Sequence, residues 1–260
     1  MNSDLNLAKE AALEAGSIIM KYYKKDYDVH EKSYHNPVTT ADKEADEKIK
    51  EILLHNNSDY GWLSEETVDS KERLSKKYIW VVDPLDGTKE FIEGIPNFVV
   101  SIALVRDSSS ILGVLYNPVS GELFSAMKDN GSFLNGEAIS CSNKSKLNQM
   151  VILNSRSETN RGLWDSYHNM FKELKPIGSV AYKLGLTAAG IGDIFATLRP
   201  KNEWDICAGT CIINESGGKV IDLNGNDITF NNEKTLIEPG LIAGEAGSVN
   251  KMFLAISEKI

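Results

Sequence analysis

One stretch limits the folds open to this chain more than any other: Tyr78-Ile79-Trp80-Val81-Val82-Asp83-Pro84-Leu85-Asp86-Gly87-Thr88-Lys89-Glu90-Phe91. Its opening residues are apolar, β-branched or aromatic, and a run this short reads as a buried strand. The strand is expected to stop at Asp83-Pro84, because proline donates no ladder hydrogen bond and pushes its predecessor toward an extended shape. Asp83 and Asp86 then flank a tight turn, and Gly87-Thr88 follow with open backbone amides. Carboxylates at a strand end suit a hard cation, and bare amides in a turn suit an anion. On its own the run is either a solvated turn or a place where metal and phosphate meet.

The rest of the chain bounds the possibilities. A length of 260 residues, 42% of them hydrophobic, suits one large domain or two closely packed halves. No clear linker separates the halves, so residues 1–260 read as a single domain, with a sheet-rich half to about residue 150 and an alternating half from 151 to 260. The net charge of −9 argues against a nucleic acid polymer or an anionic membrane as partner. It leaves room for a phosphorylated small molecule, since bound cations reverse the local sign. No run reaches the ~18 apolar residues of a membrane span. The opening Met1-Asn2-Ser3-Asp4 lacks a signal peptide's basic start and apolar core, and three cysteines form no disulfide framework. A reducing cytoplasm is the expected location.

Helical spacing predicts a helix from Leu5 to about Lys25, capped by Ser3 or Asp4, and a second from Thr40 to about His55 with Asp42 in its first turn. Residues 27–37 read as a polar, irregular segment whose His30 and His35 are surface groups. Tyr60–Leu63 reads as a strand entering Ser64-Glu65-Glu66, and Asp69–Lys77 as a charged spacer. Strands follow at Asn97–Val105, Ile111–Tyr116, Glu122–Met127 and Ser132–Leu134, the last two a hairpin about Lys128-Asp129-Asn130-Gly131. Tandem strands imply an antiparallel or mixed sheet in this half. The second half alternates: strands at Val151–Asn154, Pro176–Ile177, Ile194–Leu198, Lys219–Leu223 and Leu241–Gly244, and helices at about Leu163–Leu174, Ala181–Ala189, Asp205–Ser216 and Ser248–Ile260. Gly217-Gly218 is expected to close the third of these helices in a left-handed cap. Cys207 and Cys211, one helical turn apart, read as small buried hydrophobes.

None of the four histidines adjoins an acidic motif, and no nucleophile elbow, His-Glu-x-x-His or Walker-type loop is present. Asp83 and Asp86 supply carboxylate oxygens, the ligands Mg²⁺ prefers. Carboxylates gathered without cations would repel one another, a conflict that bound cations resolve.

Asp83-Pro84-Leu85-Asp86-Gly87-Thr88 resembles the signature of the inositol monophosphatase-like, Mg-dependent, lithium-sensitive phosphatases. Three further segments match that family's motifs in order: Val38-Thr39-Thr40-Ala41-Asp42, Ser64-Glu65-Glu66, and Trp204-Asp205-Ile206-Cys207-Ala208-Gly209. The resemblance covers essentially the whole chain and implies a layered α-β-α-β-α sandwich of the α+β / α/β class. It implies two or three Mg²⁺ ions: one on Glu65, Asp83 and the Leu85 carbonyl, beside the attacking water, and another on Asp83, Asp86 and Asp205, beside the leaving oxygen. A third ion, loosely held, would face Glu65 and Asp42. Thr88 paired with Asp42 would orient and deprotonate the water, and the Gly87 and Thr88 amides would hold phosphate oxygens. Taken alone, Asp42 is simply a helix-start carboxylate opposing the macrodipole.

Where the inositol-hydrolysing branch has Thr-Asn-Phe, this chain has Thr88-Lys89-Glu90-Phe91, which is similar to the 3′(2′),5′-bisphosphate nucleotidases of the CysQ type. Asn202-Glu203-Trp204-Asp205 looks like their Ser-Glu-Trp-Asp, and Gly178-Ser179 with Lys183 resembles their nucleotide-contacting segment. Arg199 lies near the acidic position with which the inositol enzymes grip sugar hydroxyls, and an arginine suits a second phosphate better. Lys183 and Arg199 also have a plain reading as surface charge. The resemblance therefore implies hydrolysis of adenosine 3′,5′-bisphosphate in sulfur metabolism, with Lys89, Ser179, Lys183, Arg199 and Asp205 on the nucleotide, and it admits a homodimer. The alternatives are an inositol 1-phosphate or fructose 1,6-bisphosphate phosphatase of the same fold, and a metal- and phosphate-binding regulator without turnover.

Overall fold

The computed structural model describes residues 2–25, 27–33, 36–55 and 57–257. In chain order its elements are α1 (Asn2–Tyr22), β1 (Val29–Ser33), β2 (Asn36–Thr39), α2 (Thr40–Leu54), β3 (Gly61–Ser64), β4 (Tyr78–Asp86), α3 (Thr88–Ile92), β5 (Val99–Arg106), β6 (Ser109–Asn117), β7 (Glu122–Met127), β8 (Ser132–Leu134) and β9 (Glu137–Ala138). The second half holds β10 (Val151–Ser155), α4 (Arg156–Asn160), β11 (Glu173–Ile177), α5 (Val180–Ala188), β12 (Ile194–Thr197), β13 (Lys201–Asn202), α6 (Glu203–Glu215), β14 (Gly218–Asp222), β15 (Leu236–Ile237), β16 (Leu241–Glu245) and α7 (Ala246–Ser257).

Strands β3 to β9 form a seven-stranded sheet in sequence order, parallel only between β3 and β4. A five-stranded sheet has the order β11-β10-β12-β16-β14, parallel across β11, β10 and β12 and antiparallel beyond. Side chains on a strand alternate between faces, and this alternation builds the layers. Trp80 and Val82 of β4, with Val100, Ile102 and Leu104 of β5, pack against the Ala8, Ala11, Ala15 and Ile19 stripe of α1 and against Ala41, Ala45 and Ile49 of α2. Ile79, Val81, Ala103 and Val105 face the other way, onto Leu184 of α5 and Ile206, Ala208 and Ile212 of α6. Phe195 and Ala243 cover the far side of those helices, while Ile194 and Ile242 point outward to Val249, Met252 and Ile256 of α7. The order is therefore helix, sheet, helix, sheet, helix, the predicted five-layer sandwich. Among the described residues no helix is long and apolar enough to cross a membrane.

Several local expectations change. Strand β4 does not end at Asp83-Pro84. The register against β5 runs from Asp83 opposite Ser101 to Asp86 opposite Val99, a bulge of one residue that takes proline out of the ladder and lets the strand continue. Residues 27–37 are not irregular: β1 and β2 form an antiparallel hairpin, although the His30 side chain and all of His35 lie outside the described residues. The helix expected at 163–174 is replaced by a 3-10 turn at Asp165–Met170 and the start of strand β11. Trp164, Tyr167 and Met170 recur every third residue, the period of a 3-10 helix, and Trp164 and Tyr167 are buried by it. The spacer before β4 contains another 3-10 turn, Glu72–Ser75, around a buried Arg73. Helix α1 already runs from Asn2, so Ser3 and Asp4 lie within its first turn. Gly217 (φ 80) takes the expected left-handed conformation after α6. Helix α7 begins two residues earlier than predicted, and residues 258–260 lie outside the described residues.

Candidate active site

The bulge in β4 creates the site's geometry. On a regular strand, residues three apart face opposite sides of the sheet; the extra residue between Asp83 and Asp86 turns both toward the same side. Gly87 then takes φ +105, and a Cβ there would lie 2.8 Å from the Asn97 carbonyl oxygen, so only glycine serves. This turn starts α3 and brings Thr88 back over the strand end. Glu65 arrives from the parallel neighbour β3, whose pairing extends through the Glu65 amide to the Val82 carbonyl (3.2 Å). Asp205 comes from the other half, in the first turn of α6, where its Oδ2 accepts the Asn202 amide at 3.0 Å in a capping box.

Glu65, Asp83 and Asp205 each bring a carboxylate oxygen to within 4.8 Å of the others. Asp86 stands beside this group. Its Oδ2 accepts the Ser179 hydroxyl and the Ala181 amide, both at 2.6 Å, which leaves Oδ1 as the oxygen it can offer. Burial pushes the Asp83 carboxyl well above the usual range, and the charges of Glu65, Asp86 and Asp205 push it further. Asp205 is likewise raised by desolvation and then by Asp86 and Glu65. Burial lifts Asp86 to about 6 against the pull of its hydrogen bonds. An all-oxygen set of mutually repelling carboxylates is what a small hard dication relieves. The donor set therefore fits Mg²⁺, with Glu65, Asp83 and Asp205 as its core.

On the other side of the strand end, the Thr88 hydroxyl lies 2.9 Å from Asp42 Oδ1 and 3.1 Å from the Leu85 carbonyl oxygen. Asp42 is buried, and its Oδ2 accepts both the amide and the hydroxyl of Thr39, at 2.7 and 2.6 Å. The carboxylate at the start of α2 is thus held by its cap at one oxygen and aimed at Thr88 with the other.

These groups line a cleft of about 510 Å³ that also takes in Lys89, Ser155, Arg156, Ser157, Gly178, Ser179, Lys183, Arg199, Pro200, Lys201 and Asn202. Every predicted site residue except Asp42 borders it, and Asp42 reaches it through Thr88. Lys183 departs from its expected role. Its ammonium is buried and donates to the Ile177 and Ser179 carbonyls at 2.9 and 2.6 Å, and burial lowers its pKa to about 8. It braces Ser179, whose φ is positive (56), and spends two of its three donors on backbone carbonyls. Lys89 and Arg199 make no ion pair among the described residues. Arg156, which the sequence did not single out, pairs with Glu90 and Glu93, both at 2.8 Å. Lys201 was missed as well. A signal for both existed, since site segments here follow carboxyl ends of strands that run parallel to a neighbour: Glu65 after β3, Gly87 after β4, Arg156 after β10, Gly178 after β11 and Arg199 after β12. Crevices outside such strand ends are where ligands bind in α/β sheets.

The Inositol monophosphatase family model matches residues 1–260. Inositol monophosphatase 3 of Solanum lycopersicum is 34% identical over 234 residues, covering 86% of this chain and 87% of the relative. The crystal structure of extragenic suppressor protein suhB from Bartonella henselae superposes with a TM-score of 0.87 at 29% identity, covering 99% of this chain and 100% of that one. CysQ from Bacteroides thetaiotaomicron superposes with a TM-score of 0.78 at 30% identity, over 94% and 97% of the two chains.

Proposed function

The chain belongs to the inositol monophosphatase family, and from that premise we propose that it is a Mg²⁺-dependent phosphomonoesterase that removes the 3′-phosphate of adenosine 3′,5′-bisphosphate. The observation that carries the reading is that one cleft is lined both by the clustered carboxylates and by Lys89 and Arg199, which make no ion pair among the described residues. A substrate with two phosphates meets a cation-holding group with one and basic side chains with the other. Arg199 and Lys89 are the natural partners of the second phosphate, Lys183 being committed to backbone carbonyls.

Glu65, Asp83 and Asp205, with Asp86 Oδ1 and the Leu85 carbonyl, would hold the magnesium. When bound, the ion supplies positive charge that offsets the growing negative charge at phosphorus. The protein's own part is proton handling and alignment. With its proton on Asp42 Oδ1, Thr88 turns a lone pair outward to accept a hydrogen bond from the attacking water and orient it. The water's oxygen bonds phosphorus as one of its protons passes to Thr88 Oγ1 and the Thr88 proton passes to Asp42. The bond from phosphorus to the ribose 3′-oxygen breaks, and that oxygen takes a proton from solvent to leave as the hydroxyl of AMP, while Asp42 returns its proton to solvent. Ser179, fixed by Asp86, lies on the wall the ribose would touch.

A second reading, hydrolysis of inositol 1-phosphate, is favoured by the relative named for that activity at 34% identity. Phosphate release from adenosine 3′,5′-bisphosphate, AMP, inositol 1-phosphate and fructose 1,6-bisphosphate in Mg²⁺ buffer separates the readings. A charge-assisted contact to the second phosphate predicts a kcat/KM about ten- to hundredfold above that of AMP. Arg199→Ala should erode that preference more than it lowers kcat. If inositol 1-phosphate is the best substrate, the second reading replaces the first; absence of turnover on all four would point to a binding protein.

A further inference from the structure

Of the three clustered carboxylates, Glu65 alone lies outside any strand or helix. Asp83 sits in β4 and Asp205 in the first turn of α6, whereas Glu65 lies just beyond β3. Backbone pairing holds its amide, and the chain then leaves the strand as a loop through Glu66 and Thr67. That loop is held by a side chain from another layer. Asp46, buried on α2, accepts the Ser64 hydroxyl at Oδ1 and the Thr67 hydroxyl at Oδ2, the latter at 2.8 Å. Its two contacts bracket Glu65 and Glu66. The bracket is closed further by the Glu66 amide donating to Ser64 Oγ at 3.2 Å and by the Trp62 indole donating to Thr67 Oγ1, also at 3.2 Å.

We infer that Asp46 is a positioning residue that holds the Glu65 loop in its cation-binding arrangement. Both hydroxyls spend their proton on Asp46, so the function needs a carboxylate, with two acceptors, and not merely a side chain of that shape. Asp46 also stands one helical turn after Asp42, whose Oδ1 receives the Thr88 hydroxyl. Helix α2 therefore sets two parts of the site with two carboxylates on one face: Asp42 orients the proton relay, and Asp46 orients a cation ligand. Outer carboxylates that orient ligands in this way usually govern metal affinity.

The inference rests on the reading of Glu65 as a magnesium ligand, and the test keeps the two apart. Mg²⁺ alone is titrated calorimetrically into metal-free wild type, Asp46→Asn and Thr67→Val, and thermal midpoints are taken in EDTA. Asp46→Asn removes one acceptor, and its Mg²⁺ affinity should fall by about 10- to 100-fold. Thr67→Val removes two bonds at a half-buried residue, the one donated to Asp46 and the one accepted from the Trp62 indole, but leaves Asp46 its bond from Ser64. Its affinity should fall by less, and it serves as the test if the first variant does not fold. Affinities equal to wild type in both variants overturn the inference. So does a lowered EDTA midpoint with unchanged affinity, because Asp46 would then only hold the fold. A wild type that takes up no Mg²⁺ overturns the metal-dependent reading, and the inference falls with it.

Discussion

Thr88 has one hydroxyl proton and two oxygens within reach, Asp42 Oδ1 at 2.9 Å and the Leu85 carbonyl at 3.1 Å. The shorter contact is the one to the Asp42 oxygen, so the proton points to Asp42 and a lone pair faces the cleft. Thr88→Val keeps the shape and deletes both functions. It should lower kcat by about 10²- to 10⁴-fold, the range of a lost acid–base group, with KM nearly unchanged. A variant that chiefly raises KM would reassign Thr88 to substrate binding. At this scale the sequence was informative wherever a residue type and its neighbours define the chemistry: the acidic positions and Thr88 gather as read. It misled at Lys183, because a lysine four residues after Ser179 on a helix can reach back to the carbonyls below its first turn, and a sequence does not show which way a long side chain bends.

Helix α6 carries Asp205, and what seats that helix is a near contact of backbones. A Cβ on Gly113 of β6 would lie 2.3 Å from the Ala208 carbonyl oxygen, a rigid group that cannot step aside. Gly113→Ala should therefore push α6 off the seven-stranded sheet at a cost of about 1–3 kcal/mol, the range for overpacking. Thermal denaturation in EDTA measures the loss, and a midpoint matching wild type would mean the helix and sheet slide apart freely. Elements of this kind were legible from periodicity. The alternating strands of the first half and the α1 and α2 stripes appear close to where their patterns place them. The misses have physical causes of longer range. The β4 bulge depends on β5 pairing past the proline, and the 3-10 turn at Asp165–Met170 is fixed partly by Glu158, which takes the Trp164 indole at 3.0 Å. The β1–β2 hairpin has few apolar residues to announce it.

Across the whole molecule, Asp205 must meet two carboxylates from the other half, and a buried polar chain ties the halves together near that meeting point. Arg73, 2% exposed, donates to Asp69 at 2.8 and 3.1 Å, to Asn231 Oδ1 at 2.7 Å and to the Asn232 carbonyl at 2.9 Å. The Asn231 and Asn232 amides donate in turn to Glu203, the first residue of α6, at 2.7 and 2.8 Å. The sequence showed only a charged spacer here, since its partners lie more than a hundred residues away. Burial raises the Asp69 carboxyl, but the bonds from Arg73 and Lys71 outweigh it and hold the pKa at about 2. An unfolded aspartate titrates near 3.9, so as pH falls the unfolded chain takes up its proton first. The stability from this pair is thus fully present above about pH 5 and is lost as pH drops from about 4 to 2. Arg73→Met removes the cation and should cost about 3 kcal/mol near neutral pH, toward the low end for a broken buried pair because Asp69 keeps some contact with water. The cost should shrink in acid, where Asp69 no longer carries the charge that Arg73 balances, while the lost bonds to Asn231 and Asn232 leave a remainder. Urea denaturation of wild type and variant at pH 7, 5, 4 and 3 follows the gap directly. A gap that stays constant down to pH 3 would show that Arg73 serves this bridge through packing and its asparagine contacts, with no contribution from its charge pair with Asp69.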